Sequence, residues 1–461
     1  MTSAPVAYLL FAAAGLASFG VWRPRIAVLV VCLGGWLVLP VGTYPAGTRD
    51  AVFPYWITGA AVPSNMLLTK AWVAPVVALL GALTFDWRRL RQLRPNGFDL
   101  PVALWVSWPL AQAAWLVQTN PASPAGDVCS LYLAGTWGAP WLLGRLYCTS
   151  TTGQHRLVRG LTWSALACAP MALYEGAFGS GRWYAALYGP HPFRDDGAAR
   201  YLGFRPVGWF EHGNQYGLWI ALCALCAVWL AQSTTDSDAA RRRARWTAAL
   251  VVLMAVAAQS MGALLLMGLG MAWLFALHAD SPAVTSAINL KRLTLATTIA
   301  FVLSTAVYFS GVVPMRQLAT QTAVGRAVVD GIKGAGRSSL TWRVSQDQKL
   351  LHRALERPLV GSAQWDWWRA DGRRPWGLPL LLVGQFGLVG LALGFGLLMA
   401  PAIRVGMHTH QPHVWRREAL PVLLATLVLL SVADALLNSF IFFPALLAAG
   451  GLAGARPAGK P

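Results

Sequence analysis

Long apolar runs recur along the whole chain, and they constrain its fold more than any other feature. About thirteen of them approach or reach the length that an α-helix needs to cross roughly 30 Å of hydrocarbon. The runs occupy residues 5–22, 26–42, 66–84, 100–117, 129–148, 157–176, 215–232, 246–259, 261–278, 293–311, 377–400, 419–434 and 438–453.

The composition supports a membrane interpretation of these runs. Hydrophobic residues make up 56% of the 461 residues and charged residues only 12%, against roughly 25% charged in an ordinary soluble domain. This excludes a soluble monomer. Because lipid offers no hydrogen-bond partners to the backbone, such runs form helices. We predict an all-α polytopic membrane protein, a single integral membrane domain over residues 1–461 with about 12–13 transmembrane helices.

Positive charge occupies every second connection between the runs. The formal net charge is +19, from 37 Lys and Arg against 18 Asp and Glu. By the positive-inside rule the basic connections are cytoplasmic, which places the N-terminus outside and the C-terminus in the cytoplasm. These connections include residues 23–25, 88–94, 156–159, 241–245, 291–292 and 404–417.

Two long loops on the opposite, external side are also rich in arginine. They cover residues 177–214 and 312–376. Long loops cross the membrane regardless of charge, so topology gives no reason for these arginines. One interpretation is a solvated basic surface near anionic lipid head groups. The other is a pocket for a phosphate-bearing or otherwise anionic substrate, which guanidinium groups bind in a bidentate manner.

The second loop contains a predicted amphipathic helix and a tryptophan-rich turn. Leucine and valine recur at near-helical spacing over residues 339–359, with charged residues between them. The turn at residues 361–369, GSAQWDWWR, follows. Its tryptophans either form an interfacial belt or stack against sugar rings. Trp365 and Arg369 are therefore candidate substrate-binding residues.

Four segments occur in a fixed order along the chain: GFRPVGWFEHGNQYG at 203–217, SLTWR at 339–343, RPLVG at 357–361 and GQFGLVG at 384–390. This order resembles that of the O-antigen ligase and O-antigen polymerase superfamily of bacterial envelope glycosyltransferases. In that family an arginine-bearing loop runs into a helix, a small-residue hairpin follows, and a large external loop with Arg and a P-L-x-G turn precedes a helix containing G-L-x-G.

The resemblance implies a metal-independent, cofactor-free glycosyltransferase of the bacterial inner membrane. Such enzymes take a glycan linked to undecaprenyl pyrophosphate on the periplasmic face and transfer it to an acceptor hydroxyl. The partners implied are this lipid-linked oligosaccharide and membrane lipid, with no nucleic acid. Arg205, Arg337 and Arg343 are the candidates for binding the pyrophosphate, and Arg343 matches the family's position best.

The chain departs from the family pattern at two places. The ligases have a His-Asn pair before the G-L-x-G helix, where this chain has Trp376 and Gly377. Their Ser-Arg-Gly hairpin is Ser260-Met-Gly262 here. Both differences favour a polymerase, or another polysaccharide-processing member, over a ligase.

Other residues on the external side are candidates for acid–base chemistry. Glu211, His212 and Asp366 are each able to accept a hydroxyl proton if they reach the acceptor. The alternatives are helix N-terminal charge compensation for Glu211, an interfacial or helix-start position for His212, and an ion pair with a neighbouring arginine for Asp366. Asn214 either caps the following helix or contacts substrate.

Charges inside apolar runs are costly and suggest function. Lys70 and Glu175 lie near the external ends of their runs, where they either line the same cavity as the loop arginines or form structural ion pairs. A transporter or flippase of anionic or lipid-linked sugars is the alternative function. Secondary transporters often contain related halves with interrupted helices, and the sequence has no internal repeat.

Overall fold

The computed structural model describes residues 4–41, 69–117, 126–191, 199–200, 202–234, 237–278, 290–310, 321–334, 338–408 and 414–455. Within these ranges the regular structure is almost entirely helical, which confirms the helical class. A two-residue antiparallel ladder pairs β1 (Ala199–Arg200) with β2 (Gly203–Phe204). The first half of the chain contains α1 (Ala4–Val21), α2 (Pro24–Val38), α3 (Lys70–Phe85), α4 (Trp87–Arg91), α5 (Asp99–Val117), α6 (Gly126–Leu133), α7 (Ala139–Tyr147), α8 (Thr151–Ala167), α9 (Ala169–Phe178) and α10 (Arg182–Tyr188). The second half contains α11 (Gly213–Ser233), α12 (Asp238–Ala257), α13 (Met261–His278), α14 (Leu290–Ser310), α15 (Ala323–Gly334), α16 (Ser338–Ala354), α17 (Leu378–His408), α18 (Leu420–Ala435) and α19 (Pro444–Gly454).

Three helices of the described residues are long and apolar enough to cross a membrane. They are Gly213–Ser233, Leu378–His408 and Arg417–Ala435. Six further apolar helices have 10–17 residues, and the predicted total of 12–13 spans stays a prediction.

Two predicted spans are divided in the structure. The run at 129–148 is interrupted by a π-helical turn, Ala134–Gly138, before α7 begins. In the run at 157–176, helix α8 ends at Ala167 and helix α9 begins at Ala169. Both restarted helices carry proline in their first turn. Proline has no N–H to donate, so a helix start is the position where it is tolerated best. Interior prolines also occur here, at Pro75 in α3, Pro109 in α5 and Pro401 in α17.

The predicted amphipathic helix is confirmed in its position but ends earlier than predicted. Helix α16 spans Ser338–Ala354, whereas the pattern predicts continuation to residue 359. Pro358 explains the difference, because a proline disfavours helical geometry at the residue before it. Residues 358–363 instead run beside α17.

Helix α17 is interrupted where that segment contacts it. Gly387 has φ 71°, outside the helical region. The freed amides of Leu388 and Val389 donate to the carbonyls of Pro358 (2.7 Å) and Leu359 (3.3 Å). A Cβ at Gly387 would lie 2.0 Å from the Leu359 oxygen, so only glycine fits. The break therefore leaves these two backbone N–H groups paired, as buried backbone groups generally are.

The RPLVG and GQFGLVG segments of the family resemblance are thus in direct contact. The amides of Ser362 and Ala363 donate in return to the carbonyls of Gly384 and Gln385, both at 2.9 Å. Sequence order alone does not indicate this pairing.

An aromatic cluster joins the ends of α2, α11 and α19. Trp219 lies 6.0 Å from Trp36, 5.5 Å from Phe210 and 5.3 Å from Phe442, measured between ring centres. Trp36 is also 5.0 Å from Phe443. These side chains are buried, so these tryptophans belong to the core and form the base on which the candidate site is built.

Candidate functional site

A narrow cavity lies where α11 and α17 begin and where α18 ends. Its volume is about 30 Å³, enough for about two water molecules, since one needs roughly 10–15 Å³ measured in this way. The cavity therefore accepts a polar group or two and not a whole sugar ring. Its lining residues are Glu211, His212, Asn214, Gln215, Arg343, Arg374, Trp376, Asn438, Ser439 and Phe440.

Two arginines share one indole on one wall of the cavity. The guanidinium carbon of Arg374 lies 3.7 Å from the ring centre of Trp376, and that of Arg343 lies 5.1 Å away. Arg343 also donates to the Asn438 side-chain oxygen at 2.8 Å. Cation–π contact and this hydrogen bond hold two positive charges at one place. Such a pair is suited to an anion such as phosphate.

Glu211 lies at the cavity with a buried lysine behind it. Lys70 Nζ is 3.3 Å from Glu211 Oε1 and also donates to the Trp209 carbonyl. Lys70 is only 1% exposed and lies over the rings of Trp36 and Phe210. Of the two alternatives predicted for Lys70, the structure shows the structural ion pair. Lys70 does not line this cavity.

The second oxygen of Glu211 has no hydrogen-bond partner among the described residues. The same holds for the amide nitrogen of Gln215, and both residues are more than nine-tenths buried and line the cavity. A buried carboxylate oxygen left unpaired costs about 1–3 kcal/mol or more. This cost disappears when a hydroxyl-bearing molecule donates to the carboxylate and accepts from the amide.

His212, and not Asn214, caps α11. His212 Nδ1 accepts from the Asn214 amide at 3.0 Å. The prediction of an Asn214 cap is wrong because its side-chain oxygen is already bonded to Arg205 and to Ser260 Oγ. An accepting Nδ1 places the proton of a neutral imidazole on Nε2. In this arrangement His212 is a hydrogen-bond donor, which leaves Glu211 as the better candidate for a base.

Arg205 packs behind the first turn of α11 and does not line the cavity. It is 1% exposed, and a Cβ on Gly213 would lie 2.4 Å from its Nε. Its contact with Asn214 links it to Ser260 in the small-residue hairpin. Arg205 therefore acts on the cavity through the position of Asn214.

Glu175 organises the loop that carries Glu211. It is fully buried and accepts backbone N–H groups from Trp183 (3.1 Å), Val207 (2.8 Å) and Gly208 (2.9 Å). The carboxylate thus stabilises this loop through backbone contacts instead of lining the cavity.

The tryptophan turn does not contribute to the cavity lining. Asp366 pairs with Arg369 at 3.0 Å, and Arg369 lies 5.1 Å from the ring centre of Trp365. The predicted alternative of an ion pair for Asp366 is therefore confirmed. Trp367 is buried against Gly384, where a Cβ would lie 1.9 Å from its ring. Substrate contact by Trp365 and Arg369 stays a prediction, and Arg337 lies outside the described residues.

Asp347 of α16 fixes the start of α17. Its carboxylate accepts the amides of Trp376 at 2.6 Å and Gly377 at 2.9 Å. Burial raises the pKa of Asp347 to about 7, although these two N–H groups and the nearby Arg343 favour its charged form. Asp347 thereby positions Trp376 and the two arginines that contact it.

Replacing Asp347 by asparagine is expected to reduce the pH dependence of stability. A pKa raised from 3.8 to about 7 means that the folded protein binds the proton more tightly than the unfolded chain. The free energy of unfolding of the natural protein therefore decreases as pH rises from about 4 to about 7. Thermal unfolding in detergent across this range measures the effect.

Asp371→Asn is the matched control for that experiment, because Asp371 forms a partly exposed ion pair with Arg353 at 3.2 Å. It should keep the pH dependence. Equal pH profiles for the natural protein and Asp347→Asn would contradict the assignment.

Sequence reasoning missed six of the ten residues that line the cavity: Gln215, Arg374, Trp376, Asn438, Ser439 and Phe440. Arg374 is one of many loop arginines, and Trp376 lies where the sequence resemblance would place a histidine. Asn438 begins the last apolar run, 438–453, and a polar residue at such a position is the kind of signal that identifies it. No sequence spacing links it to Arg343, 95 positions earlier.

Fold and site together define a helical protein with apolar helices of membrane-crossing length and a cavity between two arginines and a carboxylate. No protein-family model matches the chain, and no curated protein matches it at a significant level. In the described part of the chain, no group of three or more His, Cys, Asp or Glu residues is placed to hold a metal ion.

Proposed function

We propose that this protein is an inner-membrane glycosyltransferase of the O-antigen ligase and polymerase type, with about 12–13 transmembrane helices. It transfers or polymerises a glycan linked to undecaprenyl pyrophosphate on the periplasmic face. The observation that carries the proposal is the cavity in which Arg343 and Arg374 accompany a carboxylate oxygen of Glu211 that no described group pairs.

The topology predicted from charge puts this cavity on the external side of the membrane. The cavity is lined by residues of both long arginine-rich loops and of the turn after α18. All three are predicted to lie on the side opposite the basic short loops. Large apolar side chains are exposed on several helices, as expected for lipid contact; examples are Leu9, Leu10, Leu253, Leu265 and Leu303.

The residue types support a direct displacement. The acceptor hydroxyl oxygen forms a bond to the anomeric carbon, and its proton passes to Glu211 Oε2. The bond between that carbon and the pyrophosphate oxygen breaks, and the electron pair leaves with the pyrophosphate. Arg343 and Arg374 stabilise the negative charge that develops there. Because the cavity admits only one or two polar groups, the glycan and lipid lie outside its mouth.

The polymerase reaction is favoured over the ligase reaction. Trp376 replaces the histidine that the resemblance assigns to the ligase acceptor, and in this structure it supports two arginines. The proposed base is instead on the preceding long loop, at Glu211.

Transport of an anionic or lipid-linked sugar is the second candidate, and the interruption of α17 at Gly387 favours it. Transporters build their sites at interrupted helices near the membrane midplane. The cavity lies at the start of α17, about nine residues from the break. Because the cavity is separate from the break, this arrangement favours a transfer reaction at one face of the membrane over transport across it.

Purified protein supplied with an undecaprenyl-pyrophosphate oligosaccharide is expected to lengthen the glycan and release undecaprenyl pyrophosphate. Gel analysis of the lipid-linked products and mass spectrometry of the released lipid measure both. The same protein in sealed vesicles distinguishes transport, which moves the substrate across the bilayer without changing its length. Movement without any new glycosidic bond would exclude the transferase assignment.

A further inference from the structure

A second, larger cleft lies at the opposite end of α19 from the candidate site. Its volume is about 640 Å³, within the range of small-ligand sites. Its walls come from α4 and the segment after it, from α7 and the segment after it, and from the end of α19. The polar lining residues include Arg89, Arg94, Asn96, Arg145 and Thr149. The segment after α4 belongs to a basic connection predicted to be cytoplasmic.

Two of the three arginines build the walls. Arg145 pairs with both oxygens of Asp99 at 2.8 and 3.0 Å and donates to the Arg94 carbonyl at 2.8 Å. Arg89 pairs with Asp86 at 3.1 Å and donates to the Leu146 carbonyl at 3.0 Å. The two carboxylates balance two of the three positive charges.

Arg94 supplies the remaining charge. Its side chain is exposed, and no acidic residue of the described chain pairs with it. Its backbone is held by Arg145, and the next turn is fixed because Asn96 donates to the Ala453 carbonyl at 2.9 Å. The guanidinium therefore projects from a rigid loop, so less ordering accompanies binding.

We propose that this cleft binds a phosphate group, either in the head group of an anionic phospholipid or as free phosphate. Arg94 is the principal ligand, and Arg89, whose charge Asp86 balances, is a second guanidinium in the cleft wall. Basic pockets between helices on the cytoplasmic side bind anionic head groups in this way. Leu93 and Leu146 in the cleft wall offer apolar contact for the glycerol backbone. The site is separate from the proposed transfer reaction and does not depend on it.

Native mass spectrometry and thermal unfolding of the full chain test the proposal. The protein is compared in phosphatidylcholine nanodiscs, in the same nanodiscs with phosphatidylglycerol, and in phosphatidylcholine with inorganic phosphate at constant ionic strength. We expect a retained anion and a raised melting temperature. Arg94→Gln should weaken binding roughly tenfold, as expected for loss of a charge-assisted hydrogen bond. Arg94 is exposed, so the variant should fold normally.

Arg88→Gln is the matched control, because Arg88 is an exposed arginine of α4 that does not line the cleft. A response to phosphatidylglycerol alone identifies the lipid head group, and a response to inorganic phosphate identifies the free ion. Either result supports the site when Arg94→Gln weakens the response roughly tenfold and Arg88→Gln leaves it unchanged. Equal losses in the two variants, or no response to either ligand, would overturn the proposal.

Discussion

Arg343→Gln is expected to lower the rate of glycan transfer by about 10²- to 10³-fold, the usual effect of removing a group that stabilises transition-state charge. Arg343 lines the cavity, contacts Trp376 and donates to Asn438. Glutamine retains hydrogen-bonding capacity but loses the positive charge that the leaving pyrophosphate requires. The rate is measured as lipid-linked substrate consumed by purified protein at saturating substrate.

Two further variants sharpen this test. Arg343→Lys retains the charge and loses the bidentate geometry, so it should give an intermediate rate. Arg353→Gln removes another arginine of the same helix, one that pairs with Asp371 and does not line the cavity. It should transfer normally. If Arg343→Gln matched the natural protein in rate, the role of Arg343 in binding the leaving group would be refuted.

Glu211→Gln is expected to lower both stability and activity. The change leaves Lys70 buried without its carboxylate partner, and breaking a buried ion pair in this way costs about 3–5 kcal/mol. Loss of a general base lowers a rate by about 10²- to 10⁴-fold. Thermal unfolding in detergent and the transfer assay measure the two effects separately.

The double variant Lys70→Met, Glu211→Gln distinguishes structure from catalysis. Replacing both charges by uncharged groups of similar size removes the unpaired ammonium, and such replacements are often neutral for stability. We expect the double variant to recover most of the melting temperature and none of the activity. A double variant that is stable and transfers glycan at the natural rate would show that Glu211 is not the base.

The position of α16 and the choice of Arg343 as a candidate are accessible from sequence, for identifiable reasons. The near-helical spacing of leucines predicts α16, and the helix forms at that place. The order of motifs selects Arg343 among many loop arginines, and that residue lines the cavity. The same reasoning also selects Arg205, though with a weaker match than Arg343, and its side chain packs against Gly213 behind the cavity wall. A motif identifies a segment and does not determine which way each side chain points.

The tryptophans show the same limit on what residue type can predict. The sequence offers sugar stacking or an interfacial belt for the tryptophans of the turn at 361–369, yet Trp367 of that turn fills the space left by Gly384. Trp219, elsewhere in the chain, lies in an aromatic cluster with Trp36. An indole is equally suited to a lipid interface, a sugar and a tightly packed core. Its residue type therefore does not choose between them, and only the neighbours supplied by other helices do.

The sequence by itself determined that the chain is helical and strongly apolar and that its long loops are unusually basic. These properties depend on local composition, since an apolar run must satisfy its backbone internally. Only the tertiary structure decided that Lys70 pairs with Glu211. The same holds for the contacts of Trp376 with Arg343 and Arg374. It also holds for the hydrogen bonds between residues 358–363 and α17 at its Gly387 break. The physical reason is that each of these contacts joins groups from separate segments. Their meeting depends on how whole helices pack, which the spacing of residues along one segment does not encode.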